Sequence, residues 1–305
     1  MSCFAPVHAW YTKEIGPSGK RQITFNRALA HFPGSLKLPC GTCLGCLQAR
    51  GRTWAIRCLH ESRLHEQNCF ITLTYDPENI PKGHTLVKRD LQLFMKRFRK
   101  SLEPKKVRFY ACGEYGRKSY RPHYHVLIFG WSEKREGRKL LSRSSTDNQL
   151  YSSDTVNRAW PSGAAVVGDV SLSTCVYVAG YLAKNIGCKR EYDVTCDDGE
   201  IIRRQKEFSL MSRSPGLGTG YVKKYHAELI AHDSVIIEGR EVSIPRFYDE
   251  KLIKEGYQTP DQLLETKDYR RRETMAHWSE NLIDRRRTRE RVAELNLKHF
   301  SKGEI

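Results

Sequence analysis

Two histidines bracket a tyrosine at His123-Tyr124-His125, inside the run PHYHVLIFG. In a β-strand, alternation sends His123 and His125 to one face and Tyr124 to the other. Two imidazoles about 7 Å apart along a strand can chelate one divalent cation. The plainer reading is a pair of hydrogen-bonded or exposed histidines. Glu114 lies nearby in KVRFYACGEYG. If the two runs pair as an antiparallel hairpin, Glu114 reaches the same ion; a solvent-exposed turn carboxylate is the competing reading. A His₂-carboxylate set with open positions suits a metal that must bind phosphate oxygens. A third piece is Tyr177-Val-Ala-Gly-Tyr181-Leu-Ala-Lys184. On a helix, offsets of four and seven bring Tyr177, Tyr181 and Lys184 onto one stripe. Tyrosines so spaced usually pack in a core, and only their company makes them candidates for chemistry.

A second set of candidate ligands is Cys40-Gly-Thr-Cys43-Leu-Gly-Cys46, with Cys3 as a fourth thiolate and Cys58 as a possible substitute for it. Four thiolates in a closed tetrahedron are a structural zinc site, which would staple the N-terminal segment to the helix that follows. The alternative is a group of reduced thiols. Cys58, Cys69, Cys112, Cys175, Cys188 and Cys196 are scattered and read as small core residues.

The elements that must position these groups follow from periodicity and turn residues. Residues 1–40, with several Gly and Pro, read as irregular. Leu44 to Glu66 reads as a helix, CFITLTYDPENIP as a strand closed by a Pro-containing turn, and Lys88 to Leu102 as an amphipathic, cationic helix with Leu91, Phe94, Met95, Phe98 and Leu102 on its apolar face. KVRFYACGEYG and PHYHVLIFG read as a hairpin around RKSYR. Residues 131–160 read as a polar surface insertion, and a short strand is expected near Val166–Leu172. Ser173 can cap a helix through CVYVAGYLAKNI that ends at Gly187, and Thr259-Pro260 opens a long charged segment reaching about Leu297.

The balance of 52 Lys and Arg against 35 Asp and Glu gives +17, a field that concentrates polyanions, of which nucleic acid is the usual one. Residues 1–200 carry +13 of it, from 31 basic and 18 acidic residues. Candidate phosphate contacts are Lys88, Arg89, Lys96, Arg97, Arg99 and Lys100 on the cationic helix, and Arg117, Lys118 and Arg121 in the hairpin turn. Arg213, Lys223 and Lys224 flank SPGLGTG, a loop whose backbone N–H groups could cradle a phosphate although it is not a Walker pattern. GxxxxGK[ST] occurs nowhere, so no ATPase or helicase motor is encoded and strand separation would fall to a partner. Hydrophobic content of 39% with 29% charged residues fits a soluble globular protein. No apolar run reaches the roughly 18 residues of a membrane span, and MSCFAPVHAWY lacks the features of a secretory signal. The expected compartment is the cytosol.

FITLTY, PHYHVLIF and YVAGYLAK, in that order, resemble the three motifs of the HUH endonucleases. The two tyrosines four apart with a lysine three further on resemble the replication initiators of the Microviridae, and PCGTCLGC, WAIRCLHE, FMKRFRK, CGEYG and MSRSPGLG are similar to the gokushovirus branch. The likeness runs from Cys3 to about Tyr221, and residues after about 240 carry no placed motif. It implies an α+β fold: an HUH/RRM-like antiparallel central sheet of about five strands with helices mainly on one face, plus an N-terminal Cys knuckle and C-terminal helices. The implied divisions are 1–66 with the Cys cluster and first helix, 67–190 as endonuclease core, and 191–305 as a basic, mainly helical region. It further implies Mg²⁺ or Mn²⁺ on His123, His125 and Glu114, Tyr177 or Tyr181 as nucleophile, Lys184 as electrostatic help, and zinc on the cysteines. The implied activity is metal-dependent nicking of single-stranded or melted origin DNA through a 5′-phosphotyrosine, then rejoining to release circular strands. Host helicase and polymerase would be partners, in the bacterial cytoplasm. Two alternatives stay open: a plasmid replication protein, relaxase or transposase with the same chemistry, and a zinc-stabilised nucleic-acid-binding protein without catalysis.

Overall fold

The computed structural model describes residues 3–16, 21–31, 34–116, 119–134, 137–143, 149–180 and 192–302. The chain forms two compact units, residues 1–50 together with 267–305, and residues 51–266.

The N-terminal segment is not irregular. β1 (Val7–Ile15), β2 (Arg21–Thr24) and β3 (Leu36–Leu38) form an antiparallel sheet in the order β2-β1-β3. The Gly and Pro residues that suggested an irregular chain punctuate the strands: Pro6 precedes β1, Gly16 follows it, and Pro39 follows β3. Helix α1 (Leu44–Ser62) begins at the cysteine knuckle, with Leu44 and Cys46 in its first turn. At the other end of the chain, α7 (Pro260–Ala276) and α8 (Ile283–Lys302) are separated by a 3₁₀ turn over Trp278–Asn281. Thr259 and Gln262 cap the start of α7 reciprocally, Gln262 N–H donating to Thr259 Oγ1 and Thr259 N–H to Gln262 Oε1.

Residues 51–266 are organised around a seven-stranded antiparallel sheet. Its strands are β4 (Asn68–Thr74), β5 (Arg108–Tyr115), β6 (Pro122–Phe129), β7 (Arg138–Arg143), β8 (Gln149–Ser153), β9 (Ala165–Gly168) and, after the small hairpin β10 (Asp193–Thr195) and β11 (Ile201–Arg203), β12 (Phe208–Met211). The order is β12-β5-β6-β4-β9-β8-β7. Two strands more than expected come from the 131–160 stretch. There β7 pairs with β8 and Tyr151 of β8 pairs with Val167. Leu140 and Leu141 on β7 stay exposed. A strand with no buried face carries no hydrophobic alternation, so it reads as polar loop.

Helices cover both faces, not mainly one. Helix α2 (Lys88–Ser101) and the short α3 (Asp154–Ala159) lie on one face, where Leu91, Phe94, Met95 and Phe98 pack with Ile71, Leu73, Tyr124, Val126 and Ile128. On the other face α1 and α4 (Leu172–Ala179) pack Ala55, Cys58, Cys175 and Val178 against Tyr110, Cys112, Leu127 and Phe129. The unbroken run Val126-Leu127-Ile128-Phe129 reflects this, since a strand buried on both faces loses its alternation. A third apolar cluster joins α1 to α5 (Thr219–His232), the hairpin β13 (Ser234–Ile237) with β14 (Arg240–Ser243), and α6 (Arg246–Lys254). Cys58, Cys69, Cys112 and Cys175 are buried core residues, as expected. Among the described residues no helix is long and apolar enough to cross a membrane.

Candidate active site

Strands β5 and β6 pair in a register that sets Glu114 opposite His123 and Cys112 opposite His125. Alternation then places Glu114, His123 and His125 on the α1/α4 face, and Tyr124 on the α2 face, where its hydroxyl meets Tyr75 Oη at 2.7 Å and accepts from Val87 N–H at 3.0 Å. Glu114 Oε1 is 3.3 Å from His123 Nε2 and 3.1 Å from His125 Nε2. His123 Nδ1 lies 3.1 Å from the carbonyl of Arg121. A carbonyl only accepts, so Nδ1 carries the hydrogen and a neutral ring keeps its Nε2 lone pair towards Glu114. Carboxylate and imine nitrogen would then face each other with no hydrogen between them. A hydrogen or a metal ion between them satisfies such a pair. The ligand atoms of the three residues lie within 4.8 Å of one another, close enough to share one ion.

The sheet also fixes the second ring. Thr72 stands opposite His125 in the β4–β6 register, and its Oγ1 is 3.0 Å from His125 Nδ1. Phe70, two residues earlier on the same face, stacks on the His125 ring with centroids 5.5 Å apart. Both residues belong to FITLTY, and the sequence reading gave neither a role. The available signal was register: in paired strands a hydroxyl opposite a ligand histidine can orient it.

Tyr177 enters from α4. The N-cap is Ser171 rather than Ser173: its side chain accepts from Thr174 N–H while Thr174 Oγ1 accepts from Ser171 N–H, a reciprocal box. Moving the start two residues earlier leaves Cys175, Val178 and Ala179 as the buried side and Tyr177 half-buried over the carboxylate. Helix α1 lets α4 approach because Gly51 has no side chain; a Cβ there would stand 3.2 Å from Ala179 O. The Tyr177 hydroxyl sits 3.3 Å from both Glu114 Oε1 and His125 Nε2. Tyr181, Lys184 and Gly187, like Arg117, Lys118 and Cys188, lie outside the described residues.

The residues named as candidate phosphate contacts are spread over several elements. Lys88, Arg89, Lys96, Arg97, Arg99 and Lys100 belong to α2, on the opposite face of the sheet. Arg97 donates to the Ala159 carbonyl at 2.8 Å, and Arg121 donates to the carbonyl of Tyr75. Arg213 is exposed, Lys223 pairs with Glu255 at 2.9 Å, and Lys224 stands 5.2 Å over the Tyr225 ring. In the SPGLGTG loop Gly218 N–H donates to buried Glu61 at 2.7 Å, and Arg108 Nε lies 2.9 Å from the same side chain.

Within the other unit, Cys3, Cys40, Cys43 and Cys46 come together with their sulfurs within 4.8 Å of one another. Sγ–Sγ separations are 3.6 Å for Cys3–Cys40 and 3.9 Å for both Cys40–Cys46 and Cys3–Cys43. Backbone N–H groups of Cys43 and Thr42 pull the Cys40 thiol down to about 6, whereas burial pushes Cys46 up to about 12. Cys58 is not part of the group; it belongs to the core beneath α1 and α4.

Residues 68–186, which span β4 to α4 and include Glu114, His123, His125 and Tyr177, match the family model for the replication-associated protein ORF2 and its relatives. The chain is 31% identical over 260 residues to the replication-associated protein VP4 of Bdellovibrio phage phiMH2K, a match covering 82% of this chain and 76% of that protein. It is 29% identical over 228 residues to the replication-associated protein ORF4 of Chlamydia phage 1, covering 72% of this chain and 54% of the relative, or about half its length. With the replication-associated protein ORF2 of Spiroplasma virus 4 it shares 26% over 230 residues, 72% and 68% of the two chains. No solved structure matches the chain.

Proposed function

The chain belongs to the replication-associated proteins of Microviridae-like phages, and from that premise we propose that it starts rolling-circle replication by cutting one strand of the origin with a tyrosine. The observation that carries the proposal is the Tyr177 hydroxyl, 3.3 Å from Glu114 and from His125, beside a cluster able to hold a cation.

In this reading the large sheet is an HUH/RRM-like nuclease core within residues 67–190, and Glu114, His123 and His125 hold Mg²⁺ or Mn²⁺. When bound, the metal polarises the scissile phosphate and neutralises charge on its non-bridging oxygens. His123 and His125 are pre-oriented through their Nδ1 atoms by the Arg121 carbonyl and Thr72, which leaves both Nε2 atoms facing the site. Tyr177 is held edge-on to His125, with ring centroids 5.0 Å apart and its hydroxyl 3.3 Å from Glu114 Oε1 and His125 Nε2. A free phenol has a pKa of about 10, so its proton must be lost as it attacks. The new bond joins the phenolic oxygen to phosphorus. The bond that breaks is to the 3′ oxygen, which takes up a proton and leaves as a primer terminus. Because the phosphodiester energy is kept in the phosphotyrosine, the step reverses. Tyr181 is the second nucleophile and Lys184 an electrostatic aid, so the two tyrosines alternate and rejoin ends into circles. The hairpin-turn residues Arg117 and Arg121 would guide the strand, with host helicase and polymerase supplying strand separation and synthesis in the bacterial cytoplasm.

The cysteine group fits zinc. A Zn–S bond of about 2.3 Å sets the edge of a tetrahedron at about 3.8 Å, and the Sγ separations of 3.6 to 3.9 Å lie at that value. Its role is structural.

The test is incubation of a labelled origin-type single strand with the protein and Mn²⁺, then a denaturing gel. A covalent adduct is expected from the parent and from each of Tyr177→Phe and Tyr181→Phe alone, and none from the double variant. Tight binding by the parent with no adduct would favour a non-catalytic nucleic-acid-binding protein.

A further inference from the structure

The surface of α2 carries a concentration of charge that the metal-tyrosine site does not use. Residues 88–101 contain six Lys and Arg against one acid, Asp90, or +5 of the total +17. Among the described residues Lys88, Arg89, Lys96, Arg99 and Lys100 form no ion pair. Like charges gathered on one helix with few counter-charges repel one another.

Between α2 and the edge strand β12 lies an open groove of about 520 Å³. Its floor is apolar, from Met95, Phe109 and Leu210, and its rim carries Lys96, Arg99 and Lys100, with Glu103 as the single opposing charge. The Arg99 guanidinium stands 5.1 Å over the Phe109 ring. Cations around an apolar floor match a polyanion that also presents flat apolar faces, and single-stranded nucleic acid has both. Duplex DNA shows phosphates but keeps its base faces stacked away.

We infer that the groove between α2 and β12 is a second binding site for single-stranded DNA, on the reverse face of the sheet from Glu114, His123, His125 and Tyr177. The inference rests on the reading of the protein as a nicking initiator. Because Met95 and Phe109 face one side of the sheet and Glu114 the other, no phosphate at the tyrosine touches this groove. The nucleotides held there belong to a different stretch of the strand. The sheet ends at β12, so a strand passes from one face to the other around that edge. The groove would keep the origin strand attached while its 5′ end is joined to and released from the tyrosine.

The experiment uses the full chain and two labelled oligonucleotides around the cut site, of about 8 and about 30 nucleotides, the shorter being about what one site accommodates. Lys96→Glu/Lys100→Glu is expected to weaken binding of the longer strand at least tenfold and leave binding and adduct formation on the shorter one unchanged. The milder Lys96→Gln/Lys100→Gln, which guards against a folding defect, is expected to lower the log–log salt slope for the longer strand by about 1.4, at about 0.7 per single-strand contact. Unchanged affinity for the longer strand overturns the inference. So does an equal loss on both lengths, which means one site only, and so does a duplex of the same length bound as tightly with the same sensitivity. If the parent forms no adduct on either length while the length-dependent loss is seen, the nicking reading fails and the groove stands.

Discussion

The two candidate metal clusters are built by opposite means. Glu114, His123 and His125 sit on neighbouring strands whose register is fixed by a hydrogen-bonded ladder and by apolar cores on both faces. The three ligands are in place because the sheet is. Cys3 lies 37 residues from Cys40, in a segment whose strands leave Val7, Tyr11, Ile15 and Ile23 exposed. Little there buries apolar surface, so on the proposed reading the cysteine group would fasten the chain. On the proposed reading, the protein would position the metal in the first cluster, and the metal would position the protein in the second.

That contrast breaks most visibly if the histidines turn out to hold the fold. His123→Gln/His125→Gln is expected to reduce adduct formation by at least about 10³-fold, a loss of some 4 kcal/mol in transition-state stabilisation. Its melting temperature should stay within a few degrees of the parent, as should that of chelator-treated protein. A large drop in melting temperature on metal removal alone would show that the ion builds this site too. Cys43→Ser tests the other half. It should abolish stoichiometric zinc and expose residues 1–40 to protease, a local loss of several kcal/mol, while the cooperative transition of residues 51–266 persists. A segment that resists protease without zinc would mean that its small sheet suffices.

A unit that stands without metal must draw its stability from other buried groups, and His60 gives a way to read one. Its ring is fully buried, stacked on Tyr221 at 3.7 Å, with Nδ1 2.8 Å from Tyr248 Oη. Burial first, then Arg63, pushes it down to about 3. The unfolded histidine takes up a proton near pH 6.5, and the folded one holds out until about 3. Stability from the neutral ring is therefore complete above about pH 6.5 and declines as the pH falls towards 3. Between pH 7 and pH 5 the decline is about 2 kcal/mol from this group. Urea denaturation at both pH values should show it in the parent, and His60→Phe should remove that part of the difference. An equal pH dependence in the two proteins would sink the assignment.

The same contrast explains what the sequence revealed. His123, His125 and Glu114 were legible because strand alternation and hairpin pairing are local rules, and Tyr177 because helical spacing is. The cysteine group was legible only through the tight Cys40–Cys46 spacing; that Cys3 rather than Cys58 completes it depends on β1 and β3 folding back, which no local pattern states. Strands β7 and β8 leave little trace in the sequence because they bury almost nothing, and the helix-covered second face shows only in the missing alternation of Val126–Phe129. A cationic stripe reveals its charge in sequence but not the side of the sheet it occupies.

The smallest expected effect probes the metal-positioning claim most directly. The Nδ1 of His123 is anchored to a backbone carbonyl, which no side-chain change removes, but the Nδ1 of His125 relies on the Thr72 hydroxyl at 3.0 Å. Thr72→Val keeps the β-branched shape and strand preference and deletes only that oxygen. If the hydroxyl orients the ring, Mn²⁺ affinity measured by calorimetry should fall about tenfold, the low end of losses for groups that support a ligand, with no change in melting temperature beyond a degree or two. Unaltered affinity would assign the ring's orientation to the Phe70 stack, at 5.5 Å and 19°, and to strand register alone. The sheet would then position the metal by packing, with no hydrogen bond needed.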